Sequence, residues 1–281
     1  MATANQVVLI TGCSTGIGRA TAEHLAGAGH TVYATARKLE AVDDLKGKGC
    51  HTLALDVTDE QSMQAAVSAV EEAEGAVGAL VNNAGYSQSG AVESVELDDI
   101  RAQFETNVFG LIRMSQLVLP KMRERGKGRV VNVGSMGGKL TFPGGGIYHA
   151  TKYAVEAISD AMRFELSGFG VQVALIEPGL ITTEFASAAV GSMGTAGENG
   201  PYAQFNQAVA ASTVGAYEGP TAKLGGGPET VAKAIEKAIT SSRPKARYPV
   251  TPSARLIMGQ RKLLTDRMWD AFVGTQFPHP K

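Results

Sequence analysis

The sequence predicts an α/β fold: a doubly wound parallel sheet of about seven strands with helices on both faces. Three observations predict it. Short β-branched runs recur along the 281 residues, with segments of helical period between them. The runs are apolar almost throughout, as strands are when both faces of a sheet are covered. No linker interrupts the alternation, so right-handed crossovers can wind the chain into one sheet. The expectation is a single domain over 1–281, with a cofactor half at 7–134, a substrate half at 135–250 and a C-terminal extension at 251–281.

Val7–Thr11 reads as the first strand, and Gly16–Ala28 as a helix ending near Gly29. Thr31–Ala36 and Thr52–Asp56 are the second and third strands, and Asp59–Glu74 follows at helical period. Ala79–Asn83 is the fourth strand. Leu97–Arg125 is a long helical stretch, with Gly110 and Pro120 as candidate breaks. Arg129–Gly134 is the fifth strand, and Tyr148–Ser167 is a helix with Val155, Ile158, Met162 and Leu166 on one stripe. Val171–Glu177 is the sixth strand and Ala246–Val250 a seventh. Thr182 to Pro228 breaks the rhythm: it is rich in Gly, Ala and Ser and weakly periodic. A segment of that length in an α/β domain reads as functional, and 184–228 is the expected mobile lid.

Composition excludes several classes. The formal net charge is −1, so binding nucleic acid by bulk charge is not expected. No apolar run reaches the ~18 residues of a membrane span, and the polar start lacks the pattern of a signal peptide. Two cysteines, Cys13 and Cys50, make no disulfide framework and fit a reducing compartment. The expected localisation is cytoplasmic. No histidine stands at metal-ligand spacing, so no metal site is expected.

The first strand ends in Thr11-Gly12-Cys13-Ser14-Thr15-Gly16-Ile17-Gly18, and a helix follows. Glycines at such a turn let the backbone approach a pyrophosphate, and the helix N-terminus supplies N–H donors and a positive dipole. The second strand ends in Ala36-Arg37-Lys38, with no acid before Glu40. An acid there would hold the ribose 2′-OH of NAD. Arg37 instead pairs with a 2′-phosphate, so the expected cofactor is NADP over NAD. Tyr148 and Lys152, four apart, lie on one helix face. A lysine cation nearby would lower the tyrosine pKa from its usual ~10 and allow acid–base chemistry. Ser135 follows the fifth strand at its C-terminal end, where ligands sit in an open parallel sheet. Asn107 is a poor helix former inside a helical stretch, which marks a polar or broken position.

Taken together these residues resemble the short-chain dehydrogenase/reductase family and its Rossmann-type fold. The matches are TGCSTGIG at 11–18, LDV at 55–57, NNAG at 82–85, Asn107, Ser135, YHATK at 148–152 and PGLITT at 178–183, in the family's order. The resemblance implies the following roles. Tyr148 is the general acid/base, Lys152 lowers its pKa and holds the nicotinamide ribose, Ser135 holds the substrate oxygen, and Asn107 keeps a water in the proton relay. Gly12, Ser14, Gly16, Ile17 and Gly18 cradle the phosphates. Asp56 and Val57 meet the adenine, and Asn83, Ala84 and Gly85 flank the ribose. Pro178, Gly179, Ile181 and Thr183 hold the carboxamide end. Position 15 departs from the family's basic pattern in being Thr, so NADP preference rests on Arg37. The tail resembles the hydroxysteroid and retinol dehydrogenase branch. Its Arg243–Arg267 stretch holds seven Lys/Arg and one acid, and reads as a solvated face.

The implied activity is interconversion of an alcohol and a ketone or aldehyde on a hydrophobic small molecule. Ser135, Met136 and Tyr148 would touch that substrate in a pocket also lined by Gly137, Leu140, Phe142, Tyr86 and the 184–228 segment. The alternatives are a cofactor-bound sensor or scaffold without turnover, and epimerase or dehydratase chemistry on the same scaffold. The long helices resemble those that pair subunits in the family, which implies a homodimer or homotetramer. Ala157, Ala161 and Phe164 would form the contact stripe.

Overall fold

A computed structural model of the protein describes residues 5–193, 200–277 and 279. Seven parallel strands form one sheet: β1 (Val7–Ile10), β2 (Thr31–Ala36), β3 (His51–Ala54), β4 (Ala79–Asn82), β5 (Gly128–Val133), β6 (Val171–Glu177) and β7 (Arg247–Pro249). Their order is β3-β2-β1-β4-β5-β6-β7. The chain winds outward from β1 in one direction, then returns to build from β4 in the other. β1 and β4 therefore flank the point where the winding reverses, and a crevice opens above it.

The apolar strand runs divide between two cores by their period of two. Val8 and Ile10 of β1, Ala79 and Val81 of β4, and Ala174 and Ile176 of β6 face one side. There α1 (Gly16–Gly27) supplies Ala22 and Leu25, and α8 (Pro228–Thr240) supplies Val231, Ile235, Ala238 and Ile239. Leu9, Leu80, Val130 and Val173 face the other side. They meet Met63, Val67 and Val70 of α2 (Glu60–Glu74), and Met114, Val118 and Met122 of α4 (Gly110–Glu124). Asp59 caps α2, its carboxylate accepting from the backbone N–H of Gln61 and Ser62.

Several boundaries differ from expectation, and most differences lie at the crevice. β3 ends at Ala54 and β4 at Asn82. Asp56, Val57, Asn83, Ala84 and Gly85 thus leave the sheet and are free to line a site. The 97–125 stretch is broken at neither Gly110 nor Pro120. It is α3 (Leu97–Phe104), a π-helical turn (Glu105–Phe109), and α4. Asn107 lies in the π turn, where the extra residue widens the helix and swings the side chain inward. Pro120 is accommodated because it and Gln116 are both exposed, so the carbonyl that proline leaves without a helical donor faces water.

The weakly periodic segment folds into α6 (Phe185–Gly191) and α7 (Ala203–Glu218). Part of the expected mobile lid, 194–199, lies outside the described residues. The catalytic-helix candidate is α5 (Gly146–Glu165). The C-terminal extension forms α9 (Pro252–Leu263) and α10 (Asp266–Gly274), and Trp269 and Val273 of α10 pack on Leu140. No helix among the described residues is long and apolar enough to cross a membrane.

Gly18 is set by packing. A Cβ there would overlap the Gly12 carbonyl and the Asn83 side-chain amide. Gly18→Ala should destabilise the protein by about 1–3 kcal/mol, the usual cost of overpacking. Gly27, in the same helix, is the control, because a Cβ there would meet nothing within 4 Å. Gly27→Ala should stabilise by about 0.5–1 kcal/mol. Urea unfolding of both variants measures the contrast.

Candidate active site

The crevice at the winding reversal is a cavity of about 840 Å³. One end is built from the β1–α1 turn. Gly12 and Gly16 have φ of +73° and +59°, a conformation glycine adopts without strain. A side chain at position 12 would also press on the Ala84 backbone, at 2.9 Å. Thr15 precedes α1 without a side-chain cap, and the first turn carries no acid. The helix start therefore presents its N–H groups and positive dipole end to the cavity. Arg37, at the end of β2, is exposed on the cavity margin and has no ion pair among the described residues. The Asp56 carboxylate accepts from the Thr58 N–H at 2.9 Å and the Thr58 hydroxyl at 2.7 Å, which fixes the turn after β3.

The other end is built from β5, α5 and the turn after β6. Ser135 Oγ accepts from the Gly137 N–H at 3.0 Å, and the Ser135 side chain acts on the Tyr148 phenol to favour its ionised form. Lys152, 7% exposed, donates from Nζ to the Val133 carbonyl at 2.9 Å and stands 5.8 Å from the centre of the Tyr148 ring. It has no carboxylate partner among the described residues. Burial pulls its pKa down to about 8.

The lowered tyrosine pKa expected from the Tyr148–Lys152 spacing is not what the structure gives. Burial pushes the Tyr148 phenol up from its usual 10, and the Ser135 side chain opposes this only in part. Removing water from both groups penalises phenolate and ammonium alike, while the lysine spends its hydrogen bond on a backbone carbonyl.

Of the residues singled out from sequence, the cavity brings together Gly12, Ser14, Gly16, Ile17, Arg37, Asp56, Val57, Asn83, Ala84, Gly85, Ser135, Met136, Tyr148, Lys152, Pro178, Gly179, Ile181 and Thr183. Three others lie off its wall. Gly18 packs behind the glycine turn. Asn107, 2% exposed, holds the backbone of Tyr86: Oδ1 accepts from Tyr86 N–H at 3.1 Å, and Nδ2 donates to Tyr86 O at 2.9 Å and Thr151 Oγ1 at 3.1 Å. Phe142 turns instead toward Trp269, with ring centroids 5.7 Å apart.

The 184–228 segment walls the substrate end as expected, through Phe185, Ala188 and Tyr217 of α6 and α7, though sequence reasoning did not single out these three residues. Phe185 stands 5.4 Å from the Tyr148 ring. The segment that bears them has no motif, so no local signal could have found them. His149 also lines the cavity, and its only sequence signal is adjacency to Tyr148.

The profile of the short chain dehydrogenase family matches residues 6–192. The chain is 34% identical over 264 residues to the uncharacterized oxidoreductase YbbO of Escherichia coli (strain K12), covering 94% of this chain and 92% of that one. It is 34% identical to the NADPH-dependent 3-dehydrocapnine reductase of Ornithobacterium rhinotracheale, over 93% of this chain and 94% of the relative. A short chain dehydrogenase/reductase from Burkholderia phymatum, solved in complex with NAD, superimposes with a TM-score of 0.79 at 27% identity, over 100% of this chain and 98% of that one.

The buried lysine makes stability depend on pH. Between about 8 and the ordinary lysine value of 10.5, the unfolded chain holds a proton that the folded chain does not, so stability rises with pH across that window. Lys152→Met should remove this rise and be more stable than wild type at pH 7. Urea unfolding of both proteins at pH 7 and pH 9.5 checks it, since the other titrating groups cancel in the comparison.

Proposed function

This chain belongs to the short-chain dehydrogenase family, and from that premise we propose an NADP(H)-dependent oxidoreductase that interconverts an alcohol and a ketone or aldehyde on a hydrophobic small molecule. One observation carries the reading. Ser135, Tyr148 and Lys152 meet at one end of a cavity whose other end is the glycine turn.

The residues present fit a dinucleotide. Glycines 12 and 16 leave space where a side chain would stand, and the uncapped start of α1 offers N–H donors for phosphate oxygens. Arg37 would pair with the 2′-phosphate, Asp56 and Val57 would meet the adenine, and Asn83 to Gly85 the ribose. Lys152 would grip the nicotinamide ribose. Pro178, Gly179, Ile181 and Thr183 would hold the carboxamide end. The relative named as NADPH-dependent supports this preference. The bound nicotinamide supplies or accepts the hydride.

The chain's own groups manage the proton. As negative charge builds on the carbonyl oxygen, Ser135 donates a hydrogen bond and Tyr148 delivers its proton. Burial raises the Tyr148 pKa, so the phenol holds that proton at neutral pH until the carbonyl oxygen takes it. Met136, Leu140, Phe185 and Ala188 supply the apolar surround of a hydrophobic carbonyl compound. A relative named as a 3-dehydrocapnine reductase supports a ketone as the reacting group. The segment 184–228 would act as a lid, closing on substrate through α6 and α7. Ala157, Ala161 and Phe164 form an exposed stripe on α5, with Phe164 82% exposed, which suits the isologous contact of a homodimer or homotetramer.

Two measurements test the reading. In NADPH-coupled reduction of a ketone panel, Tyr148→Phe should lower turnover by ~10²–10⁴ with cofactor binding kept. Tyr153→Phe, at a ring 44% exposed on the outer face of α5, should be nearly silent. Wild-type turnover in Tyr148→Phe would refute the assignment. Second, wild type should favour NADPH, and Arg37→Asp should shift the ratio of apparent Michaelis constants toward NADH by about tenfold or more, since a hydrogen bond to a charged group contributes about 1.5–3 kcal/mol.

A further inference from the structure

We propose that His149 is a positioning residue for Ser135: one neutral imidazole clamps both ends of the 137–142 turn and fixes Gly137, the residue that sets the direction of the serine hydroxyl. The proposal rests on the reading of Ser135 as the group that holds the substrate oxygen.

His149 is 8% exposed. Its Nδ1 lies 2.9 Å from the Gly137 carbonyl oxygen, and the Phe142 N–H points at its Nε2 from 3.2 Å. A carbonyl oxygen only accepts and a backbone N–H only donates. Nδ1 therefore carries the ring proton and Nε2 is bare. The opposite tautomer would face Phe142 with a second N–H and leave the Gly137 carbonyl without its donor. An imidazolium would set two N–H groups against each other. Burial works in the same direction, holding the ring pKa below 6.5.

Gly137 is held from both sides. Its carbonyl accepts from His149, and its N–H donates to Ser135 Oγ at 3.0 Å. With Oγ already accepting that bond, the serine's own hydrogen is directed outward, to the Tyr148 hydroxyl or to a substrate oxygen. The space for the ring exists because two neighbours are glycine. A Cβ at 137 would lie 2.5 Å from Nδ1, and one at 145 would lie 2.8 Å from Nε2. The edge-on Tyr148 ring, 5.6 Å away, and the Phe142 ring, 6.3 Å away, hold the imidazole plane. The nearby cations are engaged elsewhere: Lys139 pairs with Glu156 at 2.6 Å, and Lys152 donates to Val133 O.

Two readouts need no substrate. In the free wild-type protein carrying ¹⁵N-labelled histidine, NMR at pH 7 should show His149 protonated at Nδ1 and bare at Nε2. In His149→Leu, amide exchange at Gly137 and Phe142 should quicken by about tenfold or more. An Nε2–H tautomer, an imidazolium, or unchanged exchange would overturn the clamp. The kinetic readout is a double-mutant cycle on ketone reduction. His149→Leu should lower kcat by about tenfold with the cofactor KM unchanged. In a Ser135→Ala background the same change should cost less than about twofold, because residues acting through one another are not additive. Additive losses would mean a merely structural histidine and would overturn the positioning role. His149→Asn restores a donor near the Nδ1 position and should recover part of kcat, and it carries the same cycle if His149→Leu does not fold. A wild type inactive on every ketone would count against the proposed function, while tautomer and exchange still judge the clamp.

Discussion

The site depends on a knot of hydrogen bonds that ties the ends of β1 and β4 together. Thr11 Oγ1 accepts from the N–H groups of Asn83 and Ala84, both at 3.0 Å. Asn83 Nδ2 returns two bonds, to the carbonyls of Thr11 and Gly12, both at 2.9 Å. These strands adjoin at the reversal of winding, so the knot fixes the two turns between which the crevice opens. Gly18 lets α1 come down onto the same knot without overlap. The backbone at the glycine turn is thus held by side-chain bonds from the neighbouring strand, and the space above it stays free.

A second set of buried polar bonds carries this order toward Tyr148. Asn82 donates to Asn132 Oδ1 at 2.9 Å, across neighbouring register positions of β4 and β5. Asn82 also donates to Ser115 of α4 at 3.1 Å, and Asn132 donates to Ser159 of α5 at 2.9 Å. Such groups are costly to bury unless paired. Here they pin two helices to the sheet at a fixed register, and α5 bears Tyr148 and Lys152. One turn beyond Lys152, Glu156 meets Lys139 and Arg247 at 2.6 and 3.0 Å. The facing Glu177 carboxyl is pushed up to about 7 by burial and by Glu156. The lysine thus sits between a polar ladder and an ion-pair cluster, yet among the described residues its nitrogen has one hydrogen bond, to the Val133 carbonyl, and no carboxylate partner. Burial depresses the lysine pKa with no carboxylate to offset it, and burial likewise keeps the neighbouring phenol from being acidified.

What was legible in the sequence was what local pattern encodes. Apolar runs of period two, such as Val8, Leu9 and Ile10, specify strands that feed a core on each face. Glycines after β1, and tyrosine and lysine one helical turn apart, mark both ends of the cavity from the sequence alone. The tertiary structure decided what depends on partners distant in the chain. Tyr217 and Phe185 reach the cavity only because α6 and α7 fold over it, and their segment has no period to announce this. Asn107 turned inward because a π turn widened its helix and Tyr86 and Thr151 met its carboxamide. The direction of the Tyr148 pKa shift also lay beyond the sequence. Spacing sets which side chains are neighbours, but burial and the partner each group chooses set the cost of its charge.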